Sequence, residues 1–523
     1  MTRVLILASL IFAVYNGVSQ ITAPSVQWQR TFGGSLSDGA FGLQQTTDGG
    51  YIICGFSSSS TNGNKTSPAR GANDCWVVRL DANGQKLWDA TYGGNGDERI
   101  SKLKQTSDGG FVLAGYSTTG TNGTKTSPPF GGYDSWLVRL DESGNSLWDK
   151  SYGGTSEDYL ETVNVLSGGG FLLTGLSSSG PSGNKTSTLF GGSPGFGDAW
   201  LVRVDDDGQK LWDASYGGSG DDTAESVIEL GDGGFIVAGF SISGATGNKT
   251  SPNYGNFDVW VFRIDSNGNR LWDRSYGGND YESCYRIVPA GDGYLLGATS
   301  ASGVSGNKTS PGYGNFDYWI IRLDSDGNAL WQKTFGGSGA DFLRTVAPTR
   351  DGGFVLGGRS NSGVSGNKTT SGYGDNDFWI VRIDSEGNKL WERTVGGNAS
   401  DDSFDGTQTA DGGFIFTGWS YSGINGNKTE PNFGDRDIWV VKLGPEVPRL
   451  IVSPQSHESI QANGFRFLLN GIANQYAIEV SSNLADWNLL QTNSIATTGW
   501  PIEVIDWGAT NGLQRAYRAR LLP

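Results

Sequence analysis

A tryptophan recurs at Trp28, Trp88, Trp148, Trp212, Trp272, Trp331 and Trp391, at spacings of 60, 60, 64, 60, 59 and 60 residues. A fixed period of this kind marks a chain of supersecondary units that each bury an apolar face against the next. The long spacing carries extra residues around Gly191–Phe196, and the short one a trimmed turn at Gly291–Gly293.

The unit Asp222–Gly278 shows what is repeated. ESVIEL reads as a short strand and GDGG as a turn. FIVAGFS is a second strand, followed by a loop of nearly twenty residues that contains GNKTSPNYGNF. DVWVFRID is a third strand, SNGN a turn, and RLWDRSYGG a fourth strand. Five- to eight-residue runs of β-branched and aromatic residues between Asp/Asn/Gly turns predict antiparallel pairing. No helical period runs through the repeat. Gly and Pro, 83 and 16 of 523 residues, stay below the roughly 25–30% at which low-complexity disorder becomes the default. The 18 Trp can fill a core.

The ends of the array separate a ring from an open solenoid. The last copy runs through GFIFTGWS and DIWVVKL and stops at Gly444–Pro445 without its Trp strand. A surplus strand of that type, VQWQRTFGG (Val26–Gly34), stands at the other end. Used as the fourth strand of the last blade, it closes a ring and removes the exposed sheet edges. The expected fold is all-β: a seven-bladed β-propeller over 26–447 closed by an N-terminal strand, then a small β-sandwich-like domain over 450–523.

The run RLDANGQKLWDATYGG (Arg79–Gly94) resembles the quinoprotein-type propeller repeat, in which the Trp packs between blades. The whole unit resembles the roughly sixty-residue DGG-containing repeats of secreted bacterial propeller proteins, over about Val26–Leu443. The run Tyr476–Trp487 resembles a small C-terminal β-domain of secreted proteins from Verrucomicrobia-like bacteria. These resemblances imply fold and secretion, and leave activity open because propellers serve many functions.

The net charge of -16 and pI of about 4.6, with no Lys/Arg run, argue against nucleic acid and an anionic membrane surface. Arg3, the apolar Val4–Val14 and the small Gly17 and Ser19 read as a signal peptide over 1–19. The expected location is therefore secreted: extracellular, cell surface or periplasm, with no membrane span after cleavage and a monomeric state. Three cysteines do not make a disulfide scaffold. Whether Cys54 and Cys75, on neighbouring strands, are bonded is left open, and Cys284 reads as a small buried hydrophobe.

Recurring residues mostly imply recurring structural work. The Asp before each third strand (Asp74, Asp134, Asp198, Asp258, Asp317, Asp377, Asp437) is expected to cap loop amides. Arg79, Arg139, Arg203, Arg263, Arg322 and Arg382 are expected to pair with such carboxylates, including those of the DGG turns. In an up-and-down blade the long GNKT loops and the YGG connections share one face. That face is expected to carry Lys65, Lys125, Lys185, Lys249, Lys308, Lys368 and Lys428. It is also expected to carry Asp38, Glu98, Asp158, Asp222, Glu282, Asp341 and Asp401, placed as a ring at the channel mouth that could draw a cation such as Ca²⁺. Separate acids tied to Lys or backbone amides are the alternative. Asn-Lys-Thr also matches a glycosylation sequon and reads here as a turn motif.

His457, the only histidine, lies outside the repeats. That removes His-based zinc sites and a Ser-His-Asp triad from the propeller. No cofactor is expected, and metal binding is left open. Two functions stand: a non-enzymatic binding or scaffold propeller that meets a protein or glycan through its long-loop face, and a polysaccharide-acting enzyme using channel carboxylates. A purely structural surface component is a third. A channel lined by unlike polar residues from different blades favours the enzyme, and sevenfold sameness favours binding or architecture.

Overall fold

A computed structural model of the chain describes residues 22–191, 197–446, 449–451, 457–470, 475–482, 486, 488–494, 502–511 and 516–521. The expected signal peptide, the end of the propeller span at 447 and part of the extra segment of the fourth repeat lie outside these residues, as does Trp487.

Seven four-stranded antiparallel sheets form the propeller. Blade 1 holds Asp38–Gln45, Tyr51–Ser57, Asp74–Leu80 and Lys86–Tyr92 in that order. Blades 2 to 6 repeat it from Glu98, Asp158, Asp222, Glu282 and Asp341. Blade 7 joins Asp401–Gln408, Phe414–Ser420 and Asp437–Leu443 to the N-terminal strand Val26–Phe32. That strand pairs antiparallel with Asp437–Leu443, Thr31 opposite Trp439, so the ring closes as the two chain ends predict. First strands of neighbouring blades touch all the way around, including blade 7 against blade 1. They are therefore the innermost strands and line the central channel.

Turn chemistry accounts for the short connections. In the DGG turn, Asp48 accepts the Gly50 amide and Thr46 hydroxyl, while Gly49 takes φ +87, a conformation that favours glycine. Asp48 also pairs with Arg79 at 2.5 Å, and the pairing recurs at Asp108–Arg139, Asp232–Arg263 and Asp351–Arg382. Blade 3 has Ser167–Gly170 there instead, so Arg203 donates to the Gly169 carbonyl.

The core lies between blades. Trp76 and its six third-strand equivalents are fully buried in clusters built from adjacent sheets. The periodic fourth-strand Trp does a different job. It covers the Asn-Gly-type turn of the next blade, as Trp28 does over Gly84 and Trp88 over Gly144. All three cysteines are free and buried.

The C-terminal region forms two three-stranded sheets. One is Arg449–Ile451, Phe465–Asn470 and Ile502–Asp506. The other is Asn488–Ser494, Gln475–Ser481 and Ala516–Leu521. Phe467, Leu469, Tyr476, Ile478 and Val504 share one core between them. A short helix, α1 (His457–Asn463), is added to the expected strands.

Candidate binding site in the central channel

Asp38, Glu98, Asp158, Asp222, Glu282, Asp341 and Asp401 do begin the innermost strands, but each is 0% exposed. Each accepts the amide of the second Gly of its GG pair at 2.7–2.9 Å. Their own amides donate to the third-strand start of the preceding blade, as Asp38 does to Arg436 and Glu98 to Asn73. They are inter-blade staples. An isolated buried carboxylate is costly, and amide donors at this point offset that cost.

Lys65, Lys125, Lys185, Lys249, Lys308, Lys368 and Lys428 are 1–3% exposed. Lys65 donates to the Ser67 carbonyl at 2.5 Å and the Thr91 hydroxyl at 2.9 Å, with Trp76 beneath it at 5.6 Å. These lysines pin the long loop to the fourth strand. The sequon asparagine is engaged as well: Asn64 accepts from Gly33 and donates to Thr31. Among the described residues, no three or more His, Cys, Asp or Glu side chains are grouped to hold a metal ion.

The third-strand Asp caps the long loop as expected. Asp258 accepts the Tyr254 amide at 2.6 Å, and Asp317, Asp377 and Asp437 do the same at 2.6–2.7 Å. The Asp of the fourth-strand Leu-Trp-Asp run is a hub that recurrence alone did not single out. Asp89 receives Thr66, Ser67, Lys86 and the Trp76 indole.

The channel lining is built by a bulge. In blade 1 the pairing slips between Ala40 and Gly42, and equivalent slips occur in blades 2, 3, 5, 6 and 7. In blade 4 the first strand is broken between Asp222 and Ser226. A bulge leaves one residue unpaired and re-aims its side chain. The second strand permits this by placing glycine opposite. A Cβ at Gly55, Gly115, Gly175, Gly358 or Gly418 would collide with a first-strand carbonyl oxygen. Ala298 takes this position in blade 5.

The residues left out of register are Phe41, Ser101, Glu161, Tyr285, Arg344 and Phe404, and Glu225, at the break in blade 4, takes the equivalent place. With Lys102, Tyr116 and Arg286 they line a cavity of about 190 Å³. The frame is sevenfold and the lining is not.

Charge is distributed unevenly within the lining. Asp405 receives Lys102 at 3.0 Å, Arg286 at 3.1 Å and the Thr345 hydroxyl at 3.2 Å. Burial opposes its ionisation, but the two cations hold its carboxyl well below the usual range. Residues of blades 2, 5, 6 and 7 thus meet and bridge the channel. Burial, with Arg286 nearby, pushes Lys102 down to about 8. Burial raises Glu161, and burial together with the Glu161 charge raises Glu225. Burial first, with repulsion from Glu161 added at Glu225, keeps a proton on the pair near neutral pH.

An aromatic shelf stands to one side. Phe404 lies 4.1 Å from Trp419, and Phe41 lies 5.3 Å from Phe404 and 5.8 Å from Phe56. Arg436 stacks on Trp419 at 4.5 Å, Arg99 on Phe56 at 5.2 Å, and Arg344 on Tyr285 at 4.8 Å and Phe404 at 5.1 Å. Tyr116, Tyr133 and Tyr159 cluster elsewhere at the mouth, 4.9–5.4 Å apart. The sequence signal for this site is variation. The third residue after each staple acid varies among the copies, but so do the first and the fourth, and only the bulge shows that the third faces the channel.

No known family profile matches the chain. A stretch of 189 residues, 35% of the chain, is 28% identical to the regulatory protein FlaEY of Caulobacter vibrioides, and covers 20% of that protein's length. Among solved structures, a puromycin hydrolase is similar at a TM-score of 0.41 and 14% identity, over 87% of this chain and 62% of the other. A protein of unknown function from Dyadobacter fermentans gives 0.39 and 11% over 81% and 99%. The Pan2 WD40 domain of Neurospora crassa gives 0.35 and 9% over 66% and 90%. At such scores the fold assignment rests on the strand order of this chain, which is that of a seven-bladed β-propeller.

Proposed function

We propose that the chain is a secreted, non-enzymatic binding propeller that takes a glycan or protein at the long-loop end of its central channel. One observation carries this reading: the residues that repeat are spent on the frame, while the seven lining positions hold five residue types, Phe, Ser, Glu, Tyr and Arg, beside a shelf of stacked aromatic and arginine side chains. Conserved geometry with varied lining is how one scaffold presents a specific site. The cavity is smaller than the roughly 300–1,000 Å³ of drug-sized pockets. It suits one group of a larger ligand whose remainder lies across the shelf. The C-terminal domain is read as an attachment, sorting or spacing module.

A glycan array probed with the protein from Gln20 onward tests the site. Phe404→Ala should abolish the bound signal and leave the melting temperature nearly unchanged. A signal that survives Phe404→Ala and Phe41→Ala places the ligand elsewhere.

The unlike polar lining of the channel, the mark expected of an enzyme, and the Glu161–Glu225 pair within it favour a second reading, polysaccharide cleavage, because proton-holding carboxyls can serve as general acids. Release of reducing ends that stops in both Glu161→Gln and Glu225→Gln would select it.

A further inference from the structure

The chain carries a net charge of -16, yet three arginines at the channel mouth have no carboxylate within 4.0 Å among the described residues: Arg99, Arg344 and Arg436. Their neighbours are treated differently. Lys102 and Arg286 share Asp405, and Arg359 pairs with Asp402 at 2.8 Å. The three guanidinium groups, which make no close ion pair although Asp402 attracts Arg344 and Arg436 and Tyr285 hydrogen-bonds Arg344, stack on the aromatic shelf, Arg436 on Trp419, Arg344 on Phe404, and Arg99 on Phe56 beside Phe41. Stacking holds a guanidinium flat and leaves its N–H edge free to grip an anion in bidentate fashion. Of the three, Arg344 lines the cavity itself.

Two more features narrow the ligand. Phe41, set perpendicular to Phe404 and Trp419, and the edges of those two rings offer apolar surface that can match the C–H face of a sugar ring. Glu161 and Glu225, on the cavity wall, can exchange hydrogen bonds with hydroxyl groups. A nucleic acid calls for a basic groove that tracks many phosphates. This chain has three arginines at one mouth, on an acidic body.

Resting on the channel-mouth reading, we infer that the ligand is an acidic polysaccharide, with a uronate carboxylate gripped by the stacked arginines and its ring laid on the aromatic shelf.

Calorimetry on the full chain tests this with tetragalacturonate, a mannuronate tetramer, the methyl ester of tetragalacturonate and a ten-residue oligothymidylate. At least one uronate tetramer should bind, more weakly as salt rises. The ester of tetragalacturonate, with the same rings and no charge, should bind about tenfold weaker or less tightly still. Arg344→Gln and Arg436→Gln, made separately so that one folded variant suffices, should each remove the preference for acid over ester. Equal binding of acid and ester overturns the acidic class while leaving the site standing, provided Phe404→Ala still abolishes it. Uronate binding that survives the arginine changes and Phe404→Ala overturns both the inference and the site. No binding of either uronate, or tighter binding of the oligothymidylate, overturns the inference.

Discussion

At the scale of single residues, the buried carboxylates set how the protein responds to pH. Burial raises Asp198, Asp258 and Asp437 to about 7, and Asp134, Asp317 and Asp377 to about 6. One oxygen of each accepts a loop amide, while the other is buried without a partner. A carboxyl raised in the folded state contributes stability that is fully present below its ordinary value near 3.8 and lost as pH rises through 6 to 7. The hub carboxyls run the opposite way. Burial opposes ionisation of Asp89, Asp213 and Asp273, yet their hydrogen bonds hold them low. Their stability is present above about 3.8 and lost as pH falls further. The melting temperature should therefore peak near pH 4 and drop on the order of 5 °C between pH 5 and pH 7.5. A thermal scan that is flat or rising from pH 5 to 7.5 contradicts this. The Arg79–Asp48 pairing could be anticipated from sequence because both residues recur and an exposed turn needs a counter-charge. Burial of Asp38 and Lys65 could not, because recurrence reveals a shared role without revealing which way a side chain points.

At the scale of elements, the first and second strands act as one device. The bulges that aim Glu161 and Arg344 at the channel bring a first-strand carbonyl close against Gly175 and Gly358, which lack a Cβ, although blade 5 accommodates Ala298 in this position. Gly115→Ala would drive a methyl group into the Arg99 carbonyl oxygen. It should cost about 1–3 kcal/mol, as overpacking does, visible as a lower melting temperature. An unchanged melting temperature would mean that the backbone approach is not tight. This device limits what sequence shows. Alternation along ERISKLKQ is regular to the eye, but the pairing slip after Ile100 shifts every later residue by one face. Ser101 and Lys102 then both reach the cavity, which strict alternation forbids. The closing strand Val26–Phe32 was easier to foresee, since one strand was missing where another was surplus.

At the scale of the whole molecule, the propeller separates stability from recognition. Staple carboxylates in all seven blades, Asp hubs in blades 1 to 4 with Gln or Glu in the others, and Trp-covered turns hold the blades in register. Asp405 and its cations tie residues of blades 2, 5 and 7 together across the channel, next to the cavity that Lys102 and Arg286 also line. Specificity can then vary at seven bulge positions without touching the frame, which is why the repeats look uniform while the site does not. Hydrogen exchange on the full chain, with and without a saturating bound glycan, measures this directly. The account predicts added protection in the peptides covering Asp38–Gln45, Asp341–Pro348 and Asp401–Gln408, and little change in the fourth strands. Protection confined to the fourth strands or to the DGG turns would contradict it.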